Sequence, residues 1–183
     1  MSEKEQKIIR QAARGDRMAF RTLVLEHSHA MFRLAWRLTC DEGAAEDVVQ
    51  DAFIKAYRKI GDFNQQSSFG TWLHRITVNT AMDYLRKQQT RKRFETPEPD
   101  WESIEQATRN DCPGETEDIR RHTVAAMQQL TEMERTALTL RHFEGHSIKE
   151  ICEILQINSN ACKQAIFRAV KKMRIALEPL VTT

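Results

Sequence analysis

"SIKEICEILQINSNACKQAIFRAVKKMR", residues 147–174, opens on a serine and meets a glutamate three positions later. A hydroxyl and a carboxylate at that spacing, just ahead of an apolar run, mark a capped helix start. The pattern predicts a short helix ending at Leu155, a tight break at Gln156 to Asn158, and a longer helix beyond. That is helix-turn-helix spacing. The second helix carries Lys163, Arg168, Lys171, Lys172 and Arg174 with no acid among them. A lone basic helix reads equally well as a solvated face. Behind a helix and turn of this length, the same charges suit a major groove, with cations on phosphates and the helix's first residues at base edges.

Working outward, Thr131 and Glu134 form a second capping-box pair, so helical periodicity holds through the C-terminal third. Upstream, "RKRFETPEPDWESIEQATRNDCPGETED" has three of the four prolines and little periodicity. It reads as a linker with one short helical turn around Trp101 to Ala107. Further back, Ile8, Ile9, Ala12, Phe20, Leu23, Val24, Met31, Leu34, Ala35 and Leu38 recur at three and four, as two amphipathic helices broken near Gly15-Asp16 do. Asp41 is placed to cap a third helix, with Val48, Val49, Ala52, Phe53, Ala56, Tyr57 and Ile60 inside. A fourth runs from about Ser68 to Lys87, its inner side drawn from Phe69, Leu73, Ile76, Val78, Ala81 and Leu85. The expected fold is all-α, with two small helical domains, 1–94 and 121–183, joined by a flexible linker, 95–120.

The chain has 183 residues, enough for two half-sized domains, and scarce Gly (6) and Pro (4) favour helices. Its net charge of +2 conceals an asymmetry. Residues 95–119 hold nine acids and one base, which leaves 27 bases against 17 acids elsewhere. Two basic regions flanking an acidic one suit a chain whose ends meet a polyanion. No run reaches the ~18 to 20 apolar residues of a membrane span, and the start "MSEKEQKIIRQ" is polar rather than a signal peptide. The expected location is the cytoplasm. Cys40, Cys112, Cys152 and Cys162 are too far apart for a CxxC, so their spacing suggests neither a zinc ribbon nor a redox pair, but reduced thiols. His27, His29 and Cys40 lack the second close pair that a metal site needs. Nothing calls for a metal, a cofactor or a small-molecule substrate.

"AEDVVQDAFIKAYRKIGDF", then "SSFGTWLHRITVNTAMDYLRK", then "LTEMERTALTLRHFEGHSIKEICEIL" resemble, in that order, an extracytoplasmic-function sigma factor of bacterial RNA polymerase, of the envelope-stress type. The resemblance implies a region 2 domain that binds core polymerase and melts the minus-ten element, and a region 4 domain that reads the minus-thirty-five element. It implies that the third helix docks on the clamp coiled coil of the largest subunit through Asp47, Gln50, Asp51, Lys55 and Arg58, and that the flap is a second polymerase contact. A face mixing acids, an amide and bases suits a protein better than DNA. The loop Asn64, Gln65, Gln66, Ser67, Ser68 and the helix residues Phe69, Trp72, Arg75, Asn79, Arg86 and Lys87 match the part that holds the minus-ten strand. Opening DNA needs a site where a flipped base regains its lost stacking, and aromatic contact is worth ~1 to 3 kcal/mol per base. Phe69 and Trp72 read equally as core residues, three apart on one helical face. Arg141, Asn160, Lys163, Gln164, Phe167, Arg168 and Lys171 match the minus-thirty-five readers. Control by an anti-sigma factor is implied as well.

Two departures bear on promoter choice. The family commonly has Arg-Gly-Asp or Arg-Gly-Glu before the serine, where this chain has Asn64-Gln65-Gln66. Where Thr-Val-Lys/Arg-Ser-Arg is common, it has Ala161-Cys162-Lys163-Gln164-Ala165, one arginine fewer. Three other readings stand beside the resemblance. A helix-turn-helix regulator that is not a sigma subunit leaves the first domain without a role. An enzyme would need Asp83, His74 and Glu46 to converge, and the chain has no phosphate loop or nucleophile elbow. A pure adaptor would not need five cations on one helix.

Overall fold

The computed structural model describes residues 3–64, 67–94 and 117–181; among them there are eight α-helices and no strand. Helix α1 (Glu3–Ala13) ends where Gly15 takes φ +94°, and Asp16 then caps α2 (Arg17–Thr39), its Oδ1 accepting from the N–H groups of Met18 (2.8 Å) and Ala19 (3.1 Å). Cys40 closes α2 in the left-handed region, with its N–H on the Trp36 carbonyl. Asp41 caps α3 (Glu42–Lys59) through the Ala44 N–H, as its position predicts. A 3-10 turn at Ile60–Asp62 leads to the loop before α4 (Phe69–Phe94), which starts where expected and continues past Lys87.

These four helices enclose Leu23, Met31, Phe53, Ala56, Phe69 and Leu73 in one cluster and Leu34, Leu38, Ala45, Val48, Val78 and Ala81 in a second. Each large side chain so buried contributes about 1.5–3 kcal/mol relative to exposure. The inner face of α4 is wider than its apolar stripe suggests, because Thr77 and Thr80 are also buried. Their hydroxyls donate back to the carbonyls of Leu73 and Ile76, four residues earlier, which satisfies them inside the core.

The second half begins with α5 (Glu117–Gln128), so four residues expected in the linker are helical. The turn expected around 101–107 lies outside the described residues. Helix α6 (Glu132–Leu138) and α7 (Ile148–Leu155) both start with complete capping boxes, Thr131/Glu134 and Ser147/Glu150. Between them, Thr139–Phe143 forms a π turn. Gln156 ends α7 at φ 54°, ψ 44°, and α8 (Ser159–Val181) follows. Asn158 accepts from the Ala161 N–H at 2.8 Å and supplies the cap of α8.

The halves are not separate bodies. Leu34, Leu38, Val78 and Met82 of the first share a cluster with Leu140, Ile151, Ile154 and Cys162 of the second. Arg135 of α6 reaches across to the α2 C-terminus, donating to the Leu38 carbonyl (3.0 Å) and to Cys40 Sγ (3.6 Å). Burial pushes the Cys40 thiol up, and the Arg135 guanidinium partly offsets this. Glu144, after the π turn, holds Arg37 (3.2 Å) and His74 (3.4 Å) from α2 and α4. Burial lowers the His74 pKa more than the Glu144 charge raises it, with His146 and His27 adding to the lowering.

Candidate nucleic-acid interface

On α8 the predicted readers share an exposed surface. Asn160, Lys163, Gln164, Phe167, Arg168 and Lys171 are all exposed, Phe167 at 70%. Phe167 therefore presents an apolar ring on a basic surface, open to contact from outside the chain. The buried face of the same helix carries Cys162, Ala165 and Ala169. Small side chains there let α8 lie close on the helices beneath it. Arg168 bends back to Glu134 (3.3 Å), and so does Lys172 (2.7 Å). Arg141 is exposed and donates to the His146 carbonyl at 3.0 Å, which fixes its guanidinium beside the turn into α7.

Around α4 the expected set divides. Phe69 has no exposed surface and packs on Phe63 (5.9 Å), Trp72 (5.5 Å) and His27 (5.3 Å). A direct base contact is closed to it, a correction to the sequence reading; its place is the floor under its neighbours. Trp72 is half-buried, leaning on Phe63 at 5.3 Å with part of its surface open. Asn64, Ser68, Asn79, Arg86 and Lys87 are exposed, and Ser67 is half-buried. Gln65 and Gln66 lie outside the described residues. Ser68 accepts from the Thr71 N–H at 3.1 Å and so caps α4. Arg75 is half-buried and turned toward Glu153 of α7 (3.5 Å), a link no sequence spacing announces.

On α3, Asp47, Gln50, Asp51 and Arg58 form an exposed row. Lys55 stands apart from it, half-buried, donating to Thr80 Oγ1 (3.1 Å) and lying 3.8 Å from Asp83. That lysine ties α3 to α4. Tyr57, which the apolar period places inside, is instead 40% exposed beside this row, and Ile54 is 42% exposed there. The three groups an enzyme would require are dispersed, with Asp83 on Lys55 and Arg86, His74 on Glu144, and Glu46 exposed. The sequence reading also missed an apolar groove of about 660 Å3 on the second half, lined by Leu138, Phe143, Val170, Met173 and Leu177.

The comparison with known proteins accounts for this arrangement of surfaces. Residues 23–91 match sigma-70 region 2 and residues 123–173 match sigma-70 region 4. The RNA polymerase sigma-H factor of Pseudomonas aeruginosa is 39% identical, over 98% of this chain and 96% of its own. The ECF RNA polymerase sigma-E factor of Escherichia coli K12 is 34% identical over 99% of both. The chain belongs to the extracytoplasmic-function sigma factors, which bind RNA polymerase and promoter DNA and direct the enzyme to promoters. A helix-turn-helix regulator of another kind is not favoured, since the region 2 match covers the first half. The fold is also that of the Bartonella quintana sigma factor RpoE in its complex with the anti-sigma factor NepR (TM-score 0.70, 22% identity, 87% of this chain and 96% of that one). It is likewise that of CnrH bound to the cytosolic domain of CnrY (TM-score 0.63, 24% identity, 96% and 97%).

Proposed function

We propose that this sigma factor reads the minus-thirty-five element with the exposed face of α8 and the minus-ten strand with the loop and first turns of α4. The observation that carries the reading is the exposed row Asn160, Lys163, Gln164 and Phe167 on the second helix of a helix-turn-helix. Asn160 and Gln164, as amides, pair with base edges, Lys163 and Lys171 with phosphates, and Phe167 offers an apolar contact to a thymine methyl. Arg141 reaches the same groove from the side, and Arg168 joins when it leaves Glu134. In the first half, Trp72 supplies the stacking surface, supported from beneath by Phe69 and Phe63. Asn64, Gln65, Gln66, Ser67, Ser68 and Asn79 address base edges there, and Arg75, Arg86 and Lys87 hold phosphates.

The row Asp47, Gln50, Asp51 and Arg58, with Ile54 and Tyr57 beside it, takes the clamp coiled coil of the polymerase's largest subunit. Lys55 keeps that row in register with α4 rather than touching the partner itself. The apolar groove between Phe143 and Met173 is the seat offered to the flap, the second polymerase contact. An anti-sigma factor covers these surfaces until transcription is needed, a reading supported by the anti-sigma complex of a solved relative of the fold. No step requires a catalytic residue, so the protein acts as a specificity subunit in the cytoplasm and not as an enzyme.

Run-off transcription by purified core polymerase tests the proposal. Transcripts from defined start sites are expected only when this chain is added. Asn160→Ala/Gln164→Ala should abolish the dependence on the minus-thirty-five sequence while leaving binding to core intact. Transcription with unchanged sequence preference would refute the assignment of α8.

A further inference from the structure

The spacing of the cysteines suggests no redox pair, but the fold makes one. Cys152 lies on α7 and Cys162 on α8, ten residues apart, and both are free thiols. The turn between them is anchored at both cysteines: the Ile157 N–H donates to the Cys152 carbonyl (3.2 Å), and the Cys162 N–H donates to the Asn158 carbonyl (3.0 Å). The two helices pack on each other there, with Cys162 fully buried and Cys152 half-buried against the same cluster. Both side chains pack on that one cluster, and Cys152 stands near enough to Cys162 to act on its titration.

We propose that Cys152 and Cys162 are a modification site, closing to a reversible intramolecular disulfide that weakens minus-thirty-five binding. The functional half of this rests on the assignment of α8 as the reading helix. In a reducing compartment a disulfide of this kind is rare, and where it occurs it is transient or sensing. The oxidant is a small-molecule disulfide of the oxidised-glutathione class. The Cys152 thiolate, on the side open to solvent, attacks one of its sulfurs, breaking the S–S bond and releasing one glutathione thiolate. The Cys162 sulfur then attacks the mixed disulfide, its proton passing to the second glutathione thiolate as it leaves. Two electrons pass from the protein thiols to glutathione. Burial pushes the Cys162 thiol up to about 11, with Cys152 beside it adding to the rise. Cys162 is therefore protonated at neutral pH and suited to the second step, not the first.

Closing the bond draws the two sulfurs to within about 2.05 Å of one another. Cys162 sits in the first turn of α8, between Asn160 on one side and Lys163 and Gln164 on the other. Any displacement of that turn moves the predicted base readers. Hydrogen bonds to base edges tolerate only a few tenths of an ångström before they weaken.

Trypsin cleaves after Lys149 and Lys163, so both cysteines fall in one peptide, residues 150–163. The full-length chain is equilibrated with oxidised glutathione, freed of it, alkylated and digested. The peptide is expected to be lighter by two hydrogens and to carry no alkyl group, and dithiothreitol should reverse both changes. Cys162→Ser should instead hold one glutathione on Cys152. Core polymerase assembled with the oxidised chain should bind promoter DNA about tenfold more weakly than with the reduced chain, the worth of one good base contact. Cys152→Ser should show no such difference. A peptide that stays doubly alkylated overturns the disulfide. A lighter peptide with unchanged promoter affinity overturns its effect on binding. Failure of the reduced chain to direct promoter binding at all would sink the assignment of α8 instead, and the peptide mass would still decide the disulfide.

Discussion

Glu134 occupies a position where three separate demands meet on one carboxylate. It completes the capping box of α6 by accepting from the Thr131 N–H (3.1 Å), and it takes Lys172 (2.7 Å) and Arg168 (3.3 Å) from α8. Burial alone would oppose its charge, but the hydrogen bonds from Lys172 and Thr131 outweigh it and hold the pKa below the ordinary 4.5. A carboxyl lowered on folding stabilises the protein fully above its unfolded pKa, and that stability drains as pH falls through the folded value. Glu134→Gln should therefore cost about 1–3 kcal/mol in urea unfolding at pH 7. It should also lose less further stability than the parent when the same measurement is repeated from pH 5 down to 3. The sequence revealed Glu134 as a cap because capping is local. Its hold on α8 spans 38 residues and was not legible there.

Among the elements, the turn of the helix-turn-helix stores strain and α3 presents a partner surface. Gln156 adopts a left-handed conformation that costs a residue with a side chain roughly 1–2 kcal/mol, and glycine avoids most of this. Gln156→Gly is expected to stabilise the second half by about 0.5–1 kcal/mol once the greater chain entropy of glycine is counted, read as a rise in the thermal midpoint. A lowered midpoint would mean that the glutamine side chain contributes more than its backbone costs. Along α3, Asp51 is exposed, so Asp51→Arg should leave stability within about 0.5 kcal/mol. The same variant should lose most of its capture of core polymerase in a pull-down. Capture at the wild-type level would remove α3 from the polymerase contact. The helix-turn-helix pair and α3 were legible from their caps and apolar periods, whereas the end of α4 was not. Its last two turns, 88–94, are polar up to Phe94, and hydrophobic periodicity is silent about such residues.

In the whole molecule, the free chain folds region 4 onto region 2 and engages one of its own DNA-binding candidates. Arg75 and Glu153 pair at 3.5 Å with side chains 42% and 52% exposed, so solvent screening limits the pair to about 1 kcal/mol or less. Glu153→Lys replaces that attraction with repulsion and frees Arg75. Its affinity for single-stranded minus-ten DNA, measured on the free chain by fluorescence anisotropy, should rise by up to about fivefold. The dependence on salt should steepen by about one phosphate contact. Combining it with Arg75→Ala should cancel both gains, and gains that survive the double substitution would exclude Arg75 as their source. The buried contact made by Arg135 and the Glu144 clamp on Arg37 and His74 keep the halves together when this outer pair is lost.

The amino-acid sequence by itself determined the helices, their caps, the helix-turn-helix and the family, because each depends on residues within a few positions of one another or on motifs in a set order. It also marked Trp72, Asn160 and Lys163 as candidates by residue type and place. Only the tertiary structure decided that Phe69 is floor rather than contact, that Lys55 braces α4, that Arg75 faces Glu153, and that Cys152 meets Cys162. Each of these depends on which face of a helix another helix covers. That choice is made by burial of the whole apolar surface at once, and no local spacing encodes it.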